Sequence, residues 1–155
     1  EDLVLIRNGR SEDGKIPSRS VMLHKIVYEQ HKDINSIIIA YPQYIMAFAI
    51  TDTEFDSRTI PESYIMLRKV KRLPFGSSYT DIIGTAQTLS PSAPMVIIEN
   101  DSVIATGASL IQAFDRLEVA EFSARSIISC HQLGKMATIS DQEVKDIEKA
   151  FNLTE

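Results

Sequence analysis

The chain has 155 residues, 44% of them hydrophobic and 24% charged, and a formal net charge of −5. That length suits one domain able to bury a core without metals or disulfides, and the single Cys130 cannot form an internal disulfide, which fits a reducing cytoplasm. The acidic balance gives no reason to expect nucleic acid, the longest apolar run is strand-sized rather than membrane-spanning, and no signal-peptide pattern opens the chain at Glu1-Asp2-Leu3.

Leu3-Val4-Leu5-Ile6 reads as a short apolar strand, and the glycines and mixed charge of Arg7 to Lys15 as a turn or hairpin loop. Ser18 is placed to N-cap a helix from about Arg19 to His31, in which Val21, Leu23, Ile26 and Val27 recur at helical spacing. After a connection at Lys32 to Asn35, Ser36-Ile37-Ile38-Ile39-Ala40 reads as a strand too continuously apolar to have a wet face. Pro42 suits a helix start, where its missing N–H costs nothing, and Tyr44 to Ile50 continues as a short buried helix.

Thr51 to Thr59 is polar and turn-like, Pro61 to Leu67 a further short helix and Val70 to Leu73 a strand. The basic cluster Arg68-Lys69-Val70-Lys71-Arg72 reads as a solvated strand edge, where charge discourages pairing with another sheet. Pro74 to Ser78 is a loop, and Thr80 caps a helix to about Leu89 that Ser90 to Pro94 breaks. Met95 to Ile98 and Val103 to Thr106 are two more buried strands, joined in a tight hairpin at Asn100-Asp101.

Ser109 opens the longest helix, to about Leu133, which Gly134 closes. Its apolar stripe is Leu110, Ala113, Phe114, Leu117, Ala120, Ala124, Ile127 and Ile128. Ser140 starts a last helix, and Glu143 completes a capping box. Short helices alternating with apolar strands predict an α/β chain with one sheet covered on both faces.

Three segments carry more than fold class: Pro17-Ser18-Arg19-Ser20-Val21-Met22-Leu23-His24, Ser36 to Tyr44 with its Tyr41-Pro42 ending, and Asn100-Asp101-Ser102-Val103-Ile104-Ala105-Thr106-Gly107. In that order and spacing they resemble the class II aldolase/adducin family, and Ala113 to Glu121 is similar to the family's long helix. The resemblance runs from Leu3 to the start of the last helix at Ser140. It implies a three-layer α/β/α sandwich with one central sheet, and residues 1–155 as a single domain without the family's N-terminal helical segment and glycine-asparagine loop.

In the family's enzymes the strand ends His-x-His-Pro, both histidines bind a divalent metal, usually zinc, and a His-Gly turn supplies a third. A Pro-Ser-Ser-Glu turn carries the acid/base glutamate. The matching positions here are Ile39, Tyr41, Asp101 and Ser20. Class II aldol chemistry needs a Lewis acid to polarise an enediolate oxygen and a carboxylate to move a proton. Isoleucine cannot coordinate, a phenol keeps its proton to about pH 10, and one carboxylate binds divalent ions weakly.

The resemblance therefore implies no catalytic residue, no metal ligands and no zinc: a pseudo-aldolase with a structural or assembly role, forming a homo-oligomer or joining a sister aldolase-like domain. The alternatives are a metal-dependent aldehyde-lyase acting on a sugar phosphate, with ligands at other positions of the chain or from a neighbouring subunit, and a phosphate- or sugar-phosphate-binding module. For the last, Ser18 and Arg19 stand where the family's turn helps bind substrate phosphate. A hydroxyl, a guanidinium and free N–H groups at one helix start can hold phosphate or sulfate, although a solvent-exposed arginine is the simpler explanation of Arg19.

The histidines read differently. His24 and His31 lie seven apart on one helix and share a face without sharing a metal. His31 and His131 are expected at helix ends or the surface, His24 as a partly buried polar contact, and Asp101 as a residue shaping its turn.

Overall fold

A computed structural model describes residues 3–153; Glu1 and Asp2, where the signal-peptide reading begins, lie outside the described residues. The elements are β1 (Ile6–Arg7), β2 (Arg10–Ser11), α1 (Val21–Gln30), β3 (Ser36–Ala40), α2 (Ile45–Ala49), α3 (Pro61–Leu67), β4 (Val70–Leu73), α4 (Ser77–Thr80), α5 (Ile82–Thr88), β5 (Met95–Ile98), β6 (Val103–Gly107), α6 (Leu110–Cys130) and α7 (Asp141–Ala150). None of the described helices is long and apolar enough to cross a membrane.

The main sheet has the order β3-β6-β5-β4. β6 pairs antiparallel with both β3 and β5, and β4 pairs parallel with β5. Asn100 turns the β5–β6 hairpin with φ at 50°, a left-handed conformation that asparagine tolerates better than most residues. Successive strand residues point to opposite faces, and here both faces are covered. Met95, Ile97, Val103 and Ala105 pack against Phe48, Leu67, Ala124 and Ile127. Val96, Ile98, Ile104 and Ile37 pack against Leu23, Val27, Ala86 and Leu89. The apolar runs thus have the physical origin expected of them, and the layers are those of an α/β sandwich.

Several local readings need correction. The first strand is only Ile6–Arg7, paired with Arg10–Ser11 in a hairpin separate from the main sheet, and Leu3 and Leu5 are exposed. β3 is an edge strand, so Ile38, Ile39 and Ala40 are half-buried rather than dry. α1 starts at Val21, two residues later than expected, because Arg19 and Ser20 form a turn; Ser18 Oγ accepts the Ser20 N–H at 3.3 Å instead of capping the helix itself. Asp81, not Thr80, caps α5, accepting the Gly84 N–H at 3.0 Å, while Thr80 ends α4.

α6 stops at Cys130, with residues 131–133 as a turn. Its buried side is built on Ala113, Ala120 and Ala124, whose small side chains let the helix lie close to the sheet, whereas Leu110 and Phe114 of the predicted stripe are exposed. β4 does form a sheet edge, but the basic cluster is only partly solvated. Arg72 pairs with Glu99 at 2.9 Å, and the largely buried Arg68 lies 3.7 Å from Glu148. Lys69 and Lys71 are the exposed members.

α7 carries the predicted capping box between Ser140 and Glu143, yet buries no residue fully. Polar contacts hold it. Tyr64 Oη donates to Glu148 Oε1 at 2.6 Å, and Arg58 pairs with Asp141 at 3.1 Å. Burial first, and the bond to Glu148 second, push the Tyr64 phenol up to about 12. The fold therefore favours the protonated phenol. That contribution is intact below the ordinary phenol value of about 10 and is lost as pH climbs from there through about 12. Circular-dichroism melts across this window should show wild type losing more stability than Tyr64→Phe. Parallel losses in the two proteins would show that the buried phenol is not the titrating group.

Candidate functional site

The site is built by strand register. In the β3–β6 ladder Ile39 faces Ile104 and Ala40 faces Val103. Carried one residue further, that register sets Tyr41 opposite Ser102, so the end of β3 meets the β5–β6 hairpin. Leu23 is buried on the α1 face of the sheet, which brings the start of α1 to the same place. α4 closes the remaining side, its chain reversed at Gly76, where φ is 81° and a side chain would be strained.

The result is a cleft of about 160 Å³ lined by Ser18, Ser20, Leu23, Ile39, Tyr41, Ser78, Tyr79 and Ser102. Its polar side chains carry hydroxyls. Ser18 Oγ and Ser20 Oγ share a hydrogen bond at 2.9 Å. Ser78 Oγ donates to Asp101 Oδ2 at 3.1 Å, which places the Asp101 carboxylate directly behind the lining. Tyr41 stands 69% exposed at the mouth. The Arg19 guanidinium lies over the Tyr79 ring, 5.6 Å from its centre.

Three segments far apart in sequence therefore converge. Ser18, Ser20, Ile39 and Tyr41 line one cleft, Asp101 touches it through Ser78, and Arg19 reaches its rim on Tyr79. Sequence reasoning missed Ser78 and Tyr79, which it left in or beside a featureless loop, and gave Ser102 no role. Asp101 does shape its surroundings, but by accepting a side-chain hydroxyl from α4 as well as by sitting in the hairpin turn.

No histidine lines the cleft. His24 is half-buried, edge-on to Tyr28 with ring centres 6.2 Å apart, and burial lowers its pKa and favours the neutral ring. His131 is exposed. His31 is the C-cap residue of α1, at a helix end as expected, and its Nε2 also donates to the Ala86 carbonyl at 2.8 Å, tying α1 to α5.

The donor set does not suit zinc. Ile39 offers no donor atom, the hydroxyls are weak ligands, and the Asp101 carboxylate is already engaged by Ser78. Among the described residues no three His, Cys, Asp or Glu side chains gather closely enough to hold a metal ion. What the lining can do is donate and accept hydrogen bonds through hydroxyls and stack a ligand against a tyrosine face.

The fold and site together define an α/β sandwich with a small hydroxyl-lined cleft where the edge strand meets a hairpin. Residues 1–128 match the family model described as the class II aldolase and adducin N-terminal domain, and the chain belongs to that family. It is 26% identical over 152 residues to the 3-oxo-tetronate 4-phosphate decarboxylase of Haemophilus influenzae, covering 94% of this chain and 71% of that protein. It is 24% identical over 123 residues to an L-fuculose phosphate aldolase of Methanococcus maripaludis, covering 77% of this chain and 65% of the relative, just under two thirds of its length.

Among solved structures, YgbL from Escherichia coli superposes with a TM-score of 0.79 at 17% identity, over 94% of this chain and 73% of that one. The L-fuculose 1-phosphate aldolase from Glaciozyma antarctica gives 0.76 at 17% identity, over 96% and 60%. At such identity the likeness establishes the fold.

Proposed function

We propose that this domain is a non-catalytic member of its family, a pseudo-aldolase with a structural or assembly role, whose cleft binds a small anion without a metal. One observation carries the reading: the residues at the family's metal and acid/base positions still meet around one cleft, but they are Ile39, Tyr41, Ser20 and, behind Ser78, Asp101. Metal-assisted aldol chemistry requires a Lewis acid and a group that accepts a proton near neutral pH, and the Ser20 hydroxyl is too weak a base for the second task. The hydroxyls can still orient a ligand. The exposed Leu110, Ile111, Phe114 and Phe122 on α6 support association with a second copy or a sister domain. The free Cys130 supports a reducing, cytoplasmic setting.

We infer that the anion would bind at Ser18 and Arg19. Arg19 supplies a forked full charge at the rim of the cleft that the Ser18 hydroxyl lines. With few contacts, affinity is expected near the millimolar range, about −4 kcal/mol. Phosphate at roughly tenfold excess over Kd then stabilises the fold by ~1.4 kcal/mol through linkage, which is roughly 3–6 °C in melting temperature. Arg19→Ala should abolish that rise and leave the phosphate-free melt unchanged. If both proteins respond identically to phosphate, the effect is bulk salt and the anion site is absent.

A second reading is an aldehyde-lyase acting on a sugar phosphate, supported by relatives that are named as phosphate-substrate aldolases and a decarboxylase. It requires metal ligands from outside this chain. Zinc-dependent cleavage of L-fuculose 1-phosphate by the purified chain separates it from the first.

A further inference from the structure

We propose that Glu121 is a positioning residue for the cleft, setting Tyr41 from the opposite face of the sheet; this rests on the cleft being a ligand site. Leu23 and Ile39 of the lining belong to the α1 face, whereas Glu121 sits on α6, which packs on the other. α2 has five residues, no side-chain cap at Tyr44 and no acidic residue in its first turn, so its leading N–H groups need an acceptor from elsewhere. Glu121 is that acceptor, 77 residues away. Its two oxygens take the Tyr44 N–H at 2.9 and 3.0 Å, and one takes the Ile45 N–H at 2.9 Å. A carboxylate on the start of a helix is a strong, charge-assisted acceptor. One turn along α6, the Arg125 guanidinium lies 5.5 Å from the centre of the Tyr44 ring, so α6 grips Tyr44 at both backbone and side chain.

Tyr41 depends on that grip. The β3–β6 ladder holds the chain as far as Ala40, and Glu121 holds it again from Tyr44. Between these anchors Pro42 has a locked φ, and its carbonyl accepts the Met46 N–H at 3.1 Å, which leaves little slack. Among the described residues the exposed Tyr41 side chain makes no hydrogen bond of its own, so its place at the cleft mouth follows from where the backbone is held.

The test uses the full chain labelled with 3-fluorotyrosine, with the Tyr41 fluorine resonance assigned through Tyr41→Phe. In Glu121→Ala the Tyr41 resonance should shift or broaden, in Glu121→Gln by less, because one acceptor oxygen remains, while the Tyr28 and Tyr64 resonances hold still. Phosphate affinity in Glu121→Ala should fall about fivefold or more, the lower end of ordinary coupling between sites. A merely structural role lowers the melting temperature but leaves the Tyr41 resonance and the phosphate Kd of the folded protein unchanged, and that result overturns the proposal. Should Glu121→Ala not fold, Glu121→Gln alone decides on the same readouts. A displaced Tyr41 in a chain whose wild type binds no phosphate supports the positioning and removes the anion reading instead.

Discussion

Replacing Ile39, Tyr41 and Asp101 together by histidine is expected to raise zinc affinity at least about a hundredfold over wild type, or ~2.8 kcal/mol. Residues two apart on a strand share a face, so Ile39 and Tyr41 turn toward one point, and both line the cleft. Asp101 stands directly behind the lining on Ser78 and precedes Ser102, which lines the cleft. Three neutral imidazoles form a complete protein set for a zinc site that keeps one position open. Tyr41→His alone provides at most two donors, counting Asp101, and should bind far more weakly than the triple variant. Competition with a chelating dye measures the series. Equal affinity across single and triple variants would mean that the three positions do not face one point. Even the triple variant should catalyse poorly, because Ser20 supplies no carboxylate.

Gly107→Ala should destabilise the fold by about 3 kcal/mol, the upper part of the range for overpacking a tight site, lowering the melting temperature by roughly 6–12 °C. Gly107 ends β6 just before α6 begins. A Cβ there would stand 2.6 Å from the Ala113 backbone nitrogen and 2.9 Å from the Ser109 carbonyl oxygen. Both are backbone atoms at the start of α6, one from its N-cap and one from its first turn, and cannot rotate aside as a side chain could. The Gly107 carbonyl also accepts the Asn35 N–H at 2.9 Å, so displacing it disturbs the entry to β3 as well. Relief would require α6, the longest helix, to slide off the sheet. Urea unfolding that returns wild-type stability would show the start of α6 to be pliable and the contact unimportant.

The parts of the fold that were legible in sequence are those dictated by periodicity. β5 and β6 are short apolar runs because the sheet is covered on both faces, and the α7 capping box is a local pattern that forms as written. The convergence of Ser18, Ser20, Ile39 and Tyr41 was legible too, but through resemblance rather than through any local rule. What stayed hidden depends on groups brought together from afar. Ser78 matters because α4 delivers it to Asp101 across 23 residues, and His31 finds its acceptor at Ala86. Glu121 caps a helix that carries no cap in its own sequence. Arg19 reads as an anion ligand or an exposed charge; its partner Tyr79 lies in a segment with no periodicity to announce it.

The metal-free cleft is tested most directly by elemental analysis of the wild-type protein purified without chelators. Far less than one zinc per chain is expected, since Ile39, Tyr41 and Ser20 offer no adequate ligand and the Asp101 carboxylate is already engaged by Ser78. About one zinc per chain, lost on Asp101→Ala, would contradict it.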